Sequence, residues 1–338
     1  MEAYIGKCLD SLLIPEFGAV EVLVVNDGSK DRSSEIAHSY ADRYPGSIRV
    51  IDKPNGNYGS CINAALPLAT GRYIKVLDAD DTFDTAAFSS FVRLLPSIND
   101  DVVITRHIII NADGEVLHCD EFSSDTKLNV SLSFEEAAQS IASRYIQMHQ
   151  LAYNRRVFDK ITYHQTEGVS YSDSQWSIIP LTQCRTFRCL DLVVYNYLVG
   201  REGQTMDSVQ IASHIEHFFK VLKDTVKFYT DFCGEQSAKD LFRYLLFDQH
   251  QYIYFLNLRH IDAKSMKRLQ SHDEFVKAMA PEIYDDISTV SYQDGVNYKV
   301  FKDIRDKNYP SGFHIPLSVR IKLSLKVRLL NFMAKMKK

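Results

Sequence analysis

In the first third of the chain, short apolar runs alternate with longer segments whose apolar residues recur at helical spacing. Residues 20–26, VEVLVVN, form a nearly continuous β-branched run, which predicts a strand buried on both faces. Residues 29–44 predict a helix with a polar start, one apolar face and Pro45 just beyond its end. Alternation of this kind favours an α/β fold with a doubly wound, mostly parallel sheet.

The same alternation continues to about residue 105. It predicts strands at 48–51, 73–77 and 102–105 and helices at 58–69 and 85–95, with Asp84 as the N-cap of the last helix. Beyond residue 105 the pattern first predicts a hairpin at 106–117 that turns at 111–114, and then a capping box at 133–136 that opens a helix to about residue 143. A helix at 172–181, strands at 187–198 and aromatic-rich helices from about residue 210 follow.

The last 21 residues, SVRIKLSLKVRLLNFMAKMKK, alternate apolar and basic side chains. Strict alternation favours a strand with one basic face, whereas the Leu, Lys, Met and Arg content favours a helix. A basic apolar tail can contact anionic lipid, and it can equally be a solvated element packed on the domain. Both alternatives stay open.

Composition and charge narrow the function classes. The chain has 338 residues, 45% hydrophobic and 24% charged, and a formal net charge of -4, which gives no case for nucleic-acid binding. It contains no apolar run long enough for a membrane span and no signal-peptide layout at its start, so we expect a cytoplasmic location. The six cysteines are scattered, which predicts reduced thiols.

Polar clusters follow three of the predicted strands, where sheets of this class bind ligands. They are Asn26–Ser29, residues 55–60 with Asn63 behind them, and the acidic group of Asp78, Asp80 and Asp81. Three carboxylates this close need a countercharge, which Mg²⁺ or Mn²⁺ can supply because both prefer oxygen ligands. The alternative is a solvated acidic turn in which Asp81 or Asp84 caps the next helix.

The other two clusters offer groups for a nucleotide. Asp27 can accept hydrogen bonds from a nucleobase or ribose, and Gly28 allows a tight turn. The alternative is a helix N-terminal turn that uses Asp and Ser as caps. Residues 55–60 contain too few glycines for a dinucleotide-binding fingerprint, but they can form a backbone anion site at a helix N-terminus.

The segments EVLVVNDGSKDRS, PNGNYGSCINAAL and GRYIKVLDADD resemble, in letters, order and spacing, family 2 of the glycosyltransferases, which have the GT-A fold. The resemblance covers roughly residues 1–200. It implies inverting transfer of a sugar from a nucleotide diphosphate sugar, usually UDP-linked, to an acceptor hydroxyl. It also implies that Asp27 holds the base, that Asp78 approaches the ribose, and that Asp80 together with Asp78 binds the metal, Mg²⁺ or Mn²⁺.

The resemblance also implies the remaining site residues. Gly28, Ser29, Asn57, Gly59 and Asn63 would line the nucleotide-sugar site. The family usually has a Glu-Asp pair opening a helix in the second half, and the matching stretch, GVSYSDSQWSIIPL, has Ser172 and Asp173 there.

Asp173 is therefore the predicted general base, although an Asp at this position can also simply cap the helix. In YNYLVGREGQTM, Arg201 could contact the diphosphate, or be a solvated loop residue. The Q-x-x-R-W sequence of processive members is absent, which favours a single addition per binding event. A metal site at His214 and His217 is less expected than partly exposed helix histidines.

One departure from the family pattern concerns the start of the chain. The family normally begins with an apolar strand whose turn contacts the base, whereas MEAYIGKCLDSLL resembles the helix after that turn. We expect the true start to lie upstream of Met1; the alternative is a shortened, inactive form. Loss of an interior strand would leave backbone N–H and C=O groups of the neighbouring strands without hydrogen-bond partners.

With this resemblance the chain divides into three parts. Residues 1–118 and 119–205 are the predicted nucleotide-sugar and acceptor halves of a GT-A domain, and 206–338 are a helical region with a basic tail. The predicted partners are a sugar donor, a glycan or lipid-linked acceptor, and, through the tail, the inner face of the cell membrane. A nucleotidyltransferase and an inactive binding protein are the competing functions.

Overall fold

The computed structural model describes residues 1–137, 146–201, 208–258, 261–289 and 299–313. The chain divides into two compact units, residues 1–204 and 205–338. The first unit is an α/β structure and the second is helical, so the predicted fold class is confirmed. The basic tail, and the continuation past residue 137 of the helix that follows Ser133, lie outside the described residues.

The described part of the first unit contains nine strands and five α-helices with both ends described, together with short 3-10 helices. The strands are β1 Val22–Asp27, β2 Ile48–Lys53, β3 Tyr73–Lys75, β4 Thr82–Phe83, β5 Val102–Ile110, β6 Val116–Cys119, β7 Ser131–Ser133, β8 Leu151–Asn154 and β9 Thr186–Leu198. The helices are α1 Ile5–Asp10, α2 Ser33–Arg43, α3 Asn57–Ala65, α4 Thr85–Leu94 and α5 Asp173–Ile178.

The strands form two sheets. Strands β1 and β2 pair in parallel as a two-stranded sheet, and the remaining seven form a sheet whose main path is β3-β8-β5-β9-β4. In the second sheet β5 and β9 are parallel, while β8 and β4 run antiparallel to their neighbours. Strand β6 adds to β5 through the predicted hairpin, and β7 adds to β9.

Strand β1 differs from its prediction in burial. The apolar run predicted a strand buried on both faces, but every residue of β1 is partly exposed. This expectation is wrong because, in the described part of the chain, β1 pairs with β2 alone. The burial predicted for β1 is found instead at the centre of the larger sheet, where Val102, Val103 and Ile104 are at most 2% exposed.

The main core of the first unit lies between α1, α2, α4 and the two sheets. Its members include Leu9, Tyr40, Phe91 and Tyr195. The predicted caps also form, since Asp84 accepts a hydrogen bond from the Ala87 amide at 2.8 Å. The Ser133 and Glu136 side chains bond each other's backbone amides, at 3.3 and 2.9 Å.

The second unit contains helices only, in the part of it that the structure describes. They are α6 Ser208–Ser213, α7 Ile215–Thr230, α8 Gln236–Asn257, α9 Ala263–Met279, α10 Pro281–Thr289 and α11 Lys299–Asp306. Their shared core includes an ion pair in which Arg305 donates to both oxygens of Asp273, at 2.7 and 2.8 Å. Among the helices that are described, none combines the length and the apolar character that a membrane crossing requires.

Candidate functional site

The turn after β1 brings the first polar cluster together. Gly28 has φ +68°, and a Cβ there would lie 3.0 Å from the Asn55 amide nitrogen, so the position needs glycine for both conformation and space. The Ser29 hydroxyl and amide both donate to Asn26 Oδ1, at 2.6 and 3.1 Å. The structure therefore uses Ser29 to hold the turn.

Asp27, the predicted base-binding residue, is held by the second cluster. Its Oδ1 accepts hydrogen bonds from the Lys53 ammonium at 2.6 Å and from the Gly56 amide at 2.9 Å. The Lys53 ammonium also donates to Ser60 Oγ at 2.8 Å. The hydrogen bonds from Lys53 and Gly56 thus converge on one carboxylate oxygen, and the side chains of Asp27 and Lys53 are only 18% and 20% exposed.

The predicted residues on α3 make packing contacts. Asn57 begins the helix with φ 64°. Gly59 is buried, and a Cβ there would lie 2.3 Å from the Thr166 carbonyl oxygen. Asn63 donates to the Gln165 carbonyl at 2.9 Å and accepts from the Gln165 amide at 2.8 Å. These contacts join α3 to the segment before α5; nucleotide-sugar binding by the three residues stays a prediction.

The acidic cluster follows β3, and its three carboxylates have different surroundings. Asp81 is 1% exposed and accepts hydrogen bonds from the Tyr195 hydroxyl at 2.6 Å and the Leu198 amide at 2.8 Å. Burial raises its pKa to about 7 although both hydrogen bonds oppose the shift. Asp80 accepts from Arg201 Nε at 2.5 Å.

Asp78, in the same cluster, is linked both to β9 and to the predicted base. Burial, and then the charges of Asp81, Asp80 and Asp173, raise its pKa well above the usual range. The backbone amide of Asp78 donates to the Tyr195 hydroxyl at 3.2 Å, which ties the cluster to β9. The structure therefore brings Asp78 and Asp173 close enough for their charges to interact, although they lie far apart in the sequence.

Asp173 is the first residue of α5 and is half-buried. Burial raises the pKa of its carboxyl, while the backbone amides of Asp173 and Ser174 oppose the shift. Its charge also contributes to the raised pKa values of Tyr58 and Tyr163. A carboxylate with a raised pKa is suited to accept a proton.

His149 is a site residue that sequence reasoning missed. Ligand atoms of His149, Asp78 and Asp81 all lie within 4.8 Å of one another. Burial and the neighbouring His107 lower the pKa of His149 to about 3, so its ring is neutral, as metal coordination requires. No motif marks His149; the turn before β8 carries it to the cluster.

These residues fit a divalent cation. Two carboxylates and a neutral imidazole form a donor set that Mn²⁺ and similar ions accept, whereas Mg²⁺ prefers oxygen ligands alone. Asp78 belongs both to this group and to the predicted pair with Asp80. As the second carboxylate beside Asp78, Asp81 is a weaker ligand than Asp80, because both oxygens of Asp81 already accept hydrogen bonds from the protein.

Comparison with known proteins shows which enzymes the chain resembles. Residues 2–162 match the family profile described as Glycosyl transferase family 2. The chain is 26% identical over 242 residues to the uncharacterized glycosyltransferase EpsJ of Bacillus subtilis, covering 71% of this chain and 70% of EpsJ. It is also 26% identical over 227 residues to hyaluronan synthase of Pasteurella multocida, covering 64% of this chain but only 21% of that enzyme.

Among solved structures, S. aureus TarS 1-349 in complex with UDP-GlcNAc is similar in fold. The TM-score is 0.65 at 16% sequence identity, and the match covers 97% of this chain and 88% of that one. The chain thus spans most of EpsJ and of this TarS fragment, but about a third of the length of several other curated relatives. Residues 2–162 therefore match glycosyltransferase family 2, and the fold of the chain is similar to that of TarS.

Proposed function

We propose that the chain transfers a sugar from a UDP-linked donor to a hydroxyl of a glycan or lipid-linked acceptor, with inversion at the anomeric carbon. The observation that carries the proposal is the acidic cluster after β3, in which ligand atoms of Asp78, Asp81 and His149 lie within 4.8 Å of one another. The charge of Asp173, at the start of α5, contributes to the raised pKa of Asp78, which supports Asp173 as the proton acceptor. TarS, the structural relative, binds UDP and UDP-GlcNAc, which supports the choice of donor.

Asp173 is the proposed general base. It accepts the proton of the acceptor hydroxyl as the hydroxyl oxygen bonds to the anomeric carbon, and the bond from that carbon to the diphosphate breaks on the opposite face. The raised pKa of Asp173 makes it a stronger base than an ordinary carboxylate. The nucleoside diphosphate then leaves with the electron pair of the broken bond.

Donor binding is assigned to the ends of β1 and β3. Asp27, held through Oδ1 by Lys53 and Gly56, would accept a hydrogen bond from the uracil ring. Asp78 would lie near the ribose and, together with Asp80, would hold Mn²⁺ or Mg²⁺. His149 lies beside Asp78 and Asp81 and could be a further ligand. Such a cation, when bound, neutralises charge on the diphosphate.

The acceptor is assigned by similarity alone. Hyaluronan synthase and chondroitin synthase of Pasteurella multocida and the minor teichoic acid biosynthesis protein GgaB of Bacillus subtilis are among the relatives. We therefore propose a role in the synthesis of a cell-surface polysaccharide, on the cytoplasmic side of the membrane.

The test uses the purified full chain with a panel of nucleotide sugars and Mn²⁺, and it measures release of the nucleoside diphosphate. We expect Asp173→Asn to lower the rate by about 10²–10⁴-fold, the usual contribution of a general base, while UDP affinity is kept. Ser174→Ala, on the same helix, is the matched control and should retain its rate.

Two outcomes would contradict the proposal. Full transfer by Asp173→Asn would show that another group is the base. Binding of UDP with no turnover of any donor would favour the competing hypothesis of a non-catalytic binding protein.

A further inference from the structure

The ion pair between Asp80 and Arg201 occupies the carboxylate that the proposed function assigns to a metal. Arg201 Nε lies 2.5 Å from Asp80 Oδ2, and the two side chains are only 12% and 14% exposed. An ion pair so little exposed is weakly screened by solvent and salt, so it does not open freely.

The guanidinium interacts with two of the three carboxylates of the acidic cluster. Its charge also acts on Asp81, where it opposes the rise in pKa. Its Cζ lies 5.8 Å from the centre of the Tyr4 ring, so an aromatic face borders it as well. Three neighbouring carboxylates need a countercharge, and among the described residues Arg201 is the guanidinium bonded to one of them.

We propose that Arg201 is the resident countercation of Asp80 and that a divalent cation that takes Asp80 Oδ2 as a ligand displaces it. This inference rests on the proposed function, because it takes Asp80 as a metal ligand. The Oδ2 atom, 2.5 Å from a guanidinium nitrogen, cannot also coordinate an ion on the same side. Metal binding through this oxygen therefore requires the ion pair to open.

Opening the pair has a second consequence for Arg201. The released guanidinium remains at the end of β9, at the same edge of the sheet as Asp78. A planar guanidinium is well suited to phosphate oxygens. Arg201 thus exchanges one anion, Asp80, for another, the donor diphosphate. The metal takes Asp80 away from Arg201, and the diphosphate takes Arg201 away from Asp80. Metal binding and donor binding therefore strengthen each other.

The exchange predicts effects of opposite sign for one substitution. In Arg201→Gln, Asp80 is available at all times, so bare Mn²⁺ should bind about tenfold more tightly if the native pair is open about a tenth of the time. UDP in the presence of saturating Mn²⁺ should bind more weakly in the same variant, because its diphosphate loses a partner.

The measurement is the free Mn²⁺ signal in electron paramagnetic resonance, with and without UDP, on the full chain. Arg93→Gln is the matched control, since Arg93 forms an ion pair with Glu16 in the same unit at 3.1 Å, away from the cluster. It should leave both affinities unchanged. Asp80→Asn should lose Mn²⁺ binding.

The outcomes separate this inference from the proposed function. Weaker Mn²⁺ binding by Arg201→Gln, or no Mn²⁺ binding by that variant, would overturn the exchange. Tighter binding of both Mn²⁺ and UDP would also overturn it, because Arg201 would then be only an obstruction. Turnover of nucleotide sugars by the native chain tests the proposed function separately.

Discussion

Asp27 shows how a residue can be identified from sequence while its environment is not. The NDGS segment and its position at the end of β1 mark the aspartate, but Lys53, its partner, lies 26 positions away at the end of β2. No local pattern distinguishes this lysine from a solvated one. The parallel register that pairs Asp27 with Lys53 brings the two together.

Replacement of Lys53 should therefore destabilise the protein. We expect Lys53→Met to lower the free energy of unfolding by about 1–3 kcal/mol, because it leaves a mostly buried carboxylate without its ammonium partner. Urea denaturation measures the change. Lys127→Met is the control, since the Lys127–Glu136 pair is exposed and should contribute less than about 1 kcal/mol. Equal effects of the two substitutions would contradict the assignment.

The pH dependence of transfer tests Asp173. Because burial raises its pKa, the carboxyl becomes protonated, and unable to accept a proton, at a pH above the ordinary range near 3.8. We expect kcat/KM to fall about tenfold per pH unit on the acid side of that raised pKa. A rate that stays constant down to pH 4, with UDP binding retained as the check on folding, would argue against Asp173 as base.

His149 marks the limit of what the sequence predicts about the site. Asp27, Asp78, Asp80 and Asp173 were found because each follows a strand or opens a helix in a segment with a family pattern. His149 belongs to no such segment, and only the pairing of β8 with β3 sets it beside Asp78. A residue that reaches a site only through tertiary contacts, as His149 does, has no local sequence pattern by which it could be predicted.

At the scale of elements, most strands and helices were predictable and their extents less so. The predicted strand at 102–105 is the start of the nine-residue β5, because its pairing with β9 continues to Ile110. The strand predicted at 73–77 ends at Lys75. Local propensity predicts where an element begins, whereas partner strands decide how far it extends.

The two sheets should differ in amide hydrogen exchange. Strand β5 has β8 and β9 on its two sides, while β1 pairs with β2 alone in the described residues. We expect the β1 amides that do not point toward β2 to exchange at least about a hundredfold faster than those of Val102–Ile104, because nothing in the sheet protects them. Mass spectrometry of short exchange times would measure this, and equal protection would contradict it.

The contact between α3 and the segment before α5 depends on Gly59. We expect Gly59→Ala to destabilise the protein by about 1–3 kcal/mol, because the new methyl group would overlap the Thr166 carbonyl and backbone must move. Gly46→Ala is the matched control: a Cβ there meets nothing within 4 Å. Thermal unfolding compares the two, and a neutral Gly59→Ala would show that the helix can shift away.

At the scale of the whole molecule, the helical unit contains a buried histidine pair of its own. His250 and His272 are at most 1% exposed, and their rings lie 5.2 Å apart. His250 Nδ1 donates to the Leu246 carbonyl at 2.7 Å, whereas its Nε2 and both nitrogens of His272 have no hydrogen-bond partner among the described residues. Sequence reasoning found the aromatic core here but not the pair.

This pair should make the helical unit sensitive to acid. Burial lowers the pKa of His250 to about 4 and that of His272 well below 6.5, although the nearby Asp273 opposes the shift at His250. The unfolded chain therefore binds more protons than the folded one below pH 6.5, so stability is full above that pH and falls as pH decreases.

Two histidines give a slope of up to about 2.7 kcal/mol per pH unit. Hydrogen exchange in α8 and α9 between pH 7 and pH 5, corrected for the intrinsic rate, would measure the loss. His272→Phe should reduce the slope by about half, and an unchanged slope would exclude His272 as its source.

The exposed thiol of Cys233 is a position at which the protein can be labelled selectively. Of the six free cysteines only Cys233 is exposed, in the turn between α7 and α8. Burial raises the pKa of Cys8 to about 12 and that of Cys61 to about 11, so both remain protonated and slow to react at neutral pH. A maleimide dye should thus label the helical unit at Cys233 and leave the thiols beside the acidic cluster intact, so that this unit carries a probe while the candidate site stays chemically native.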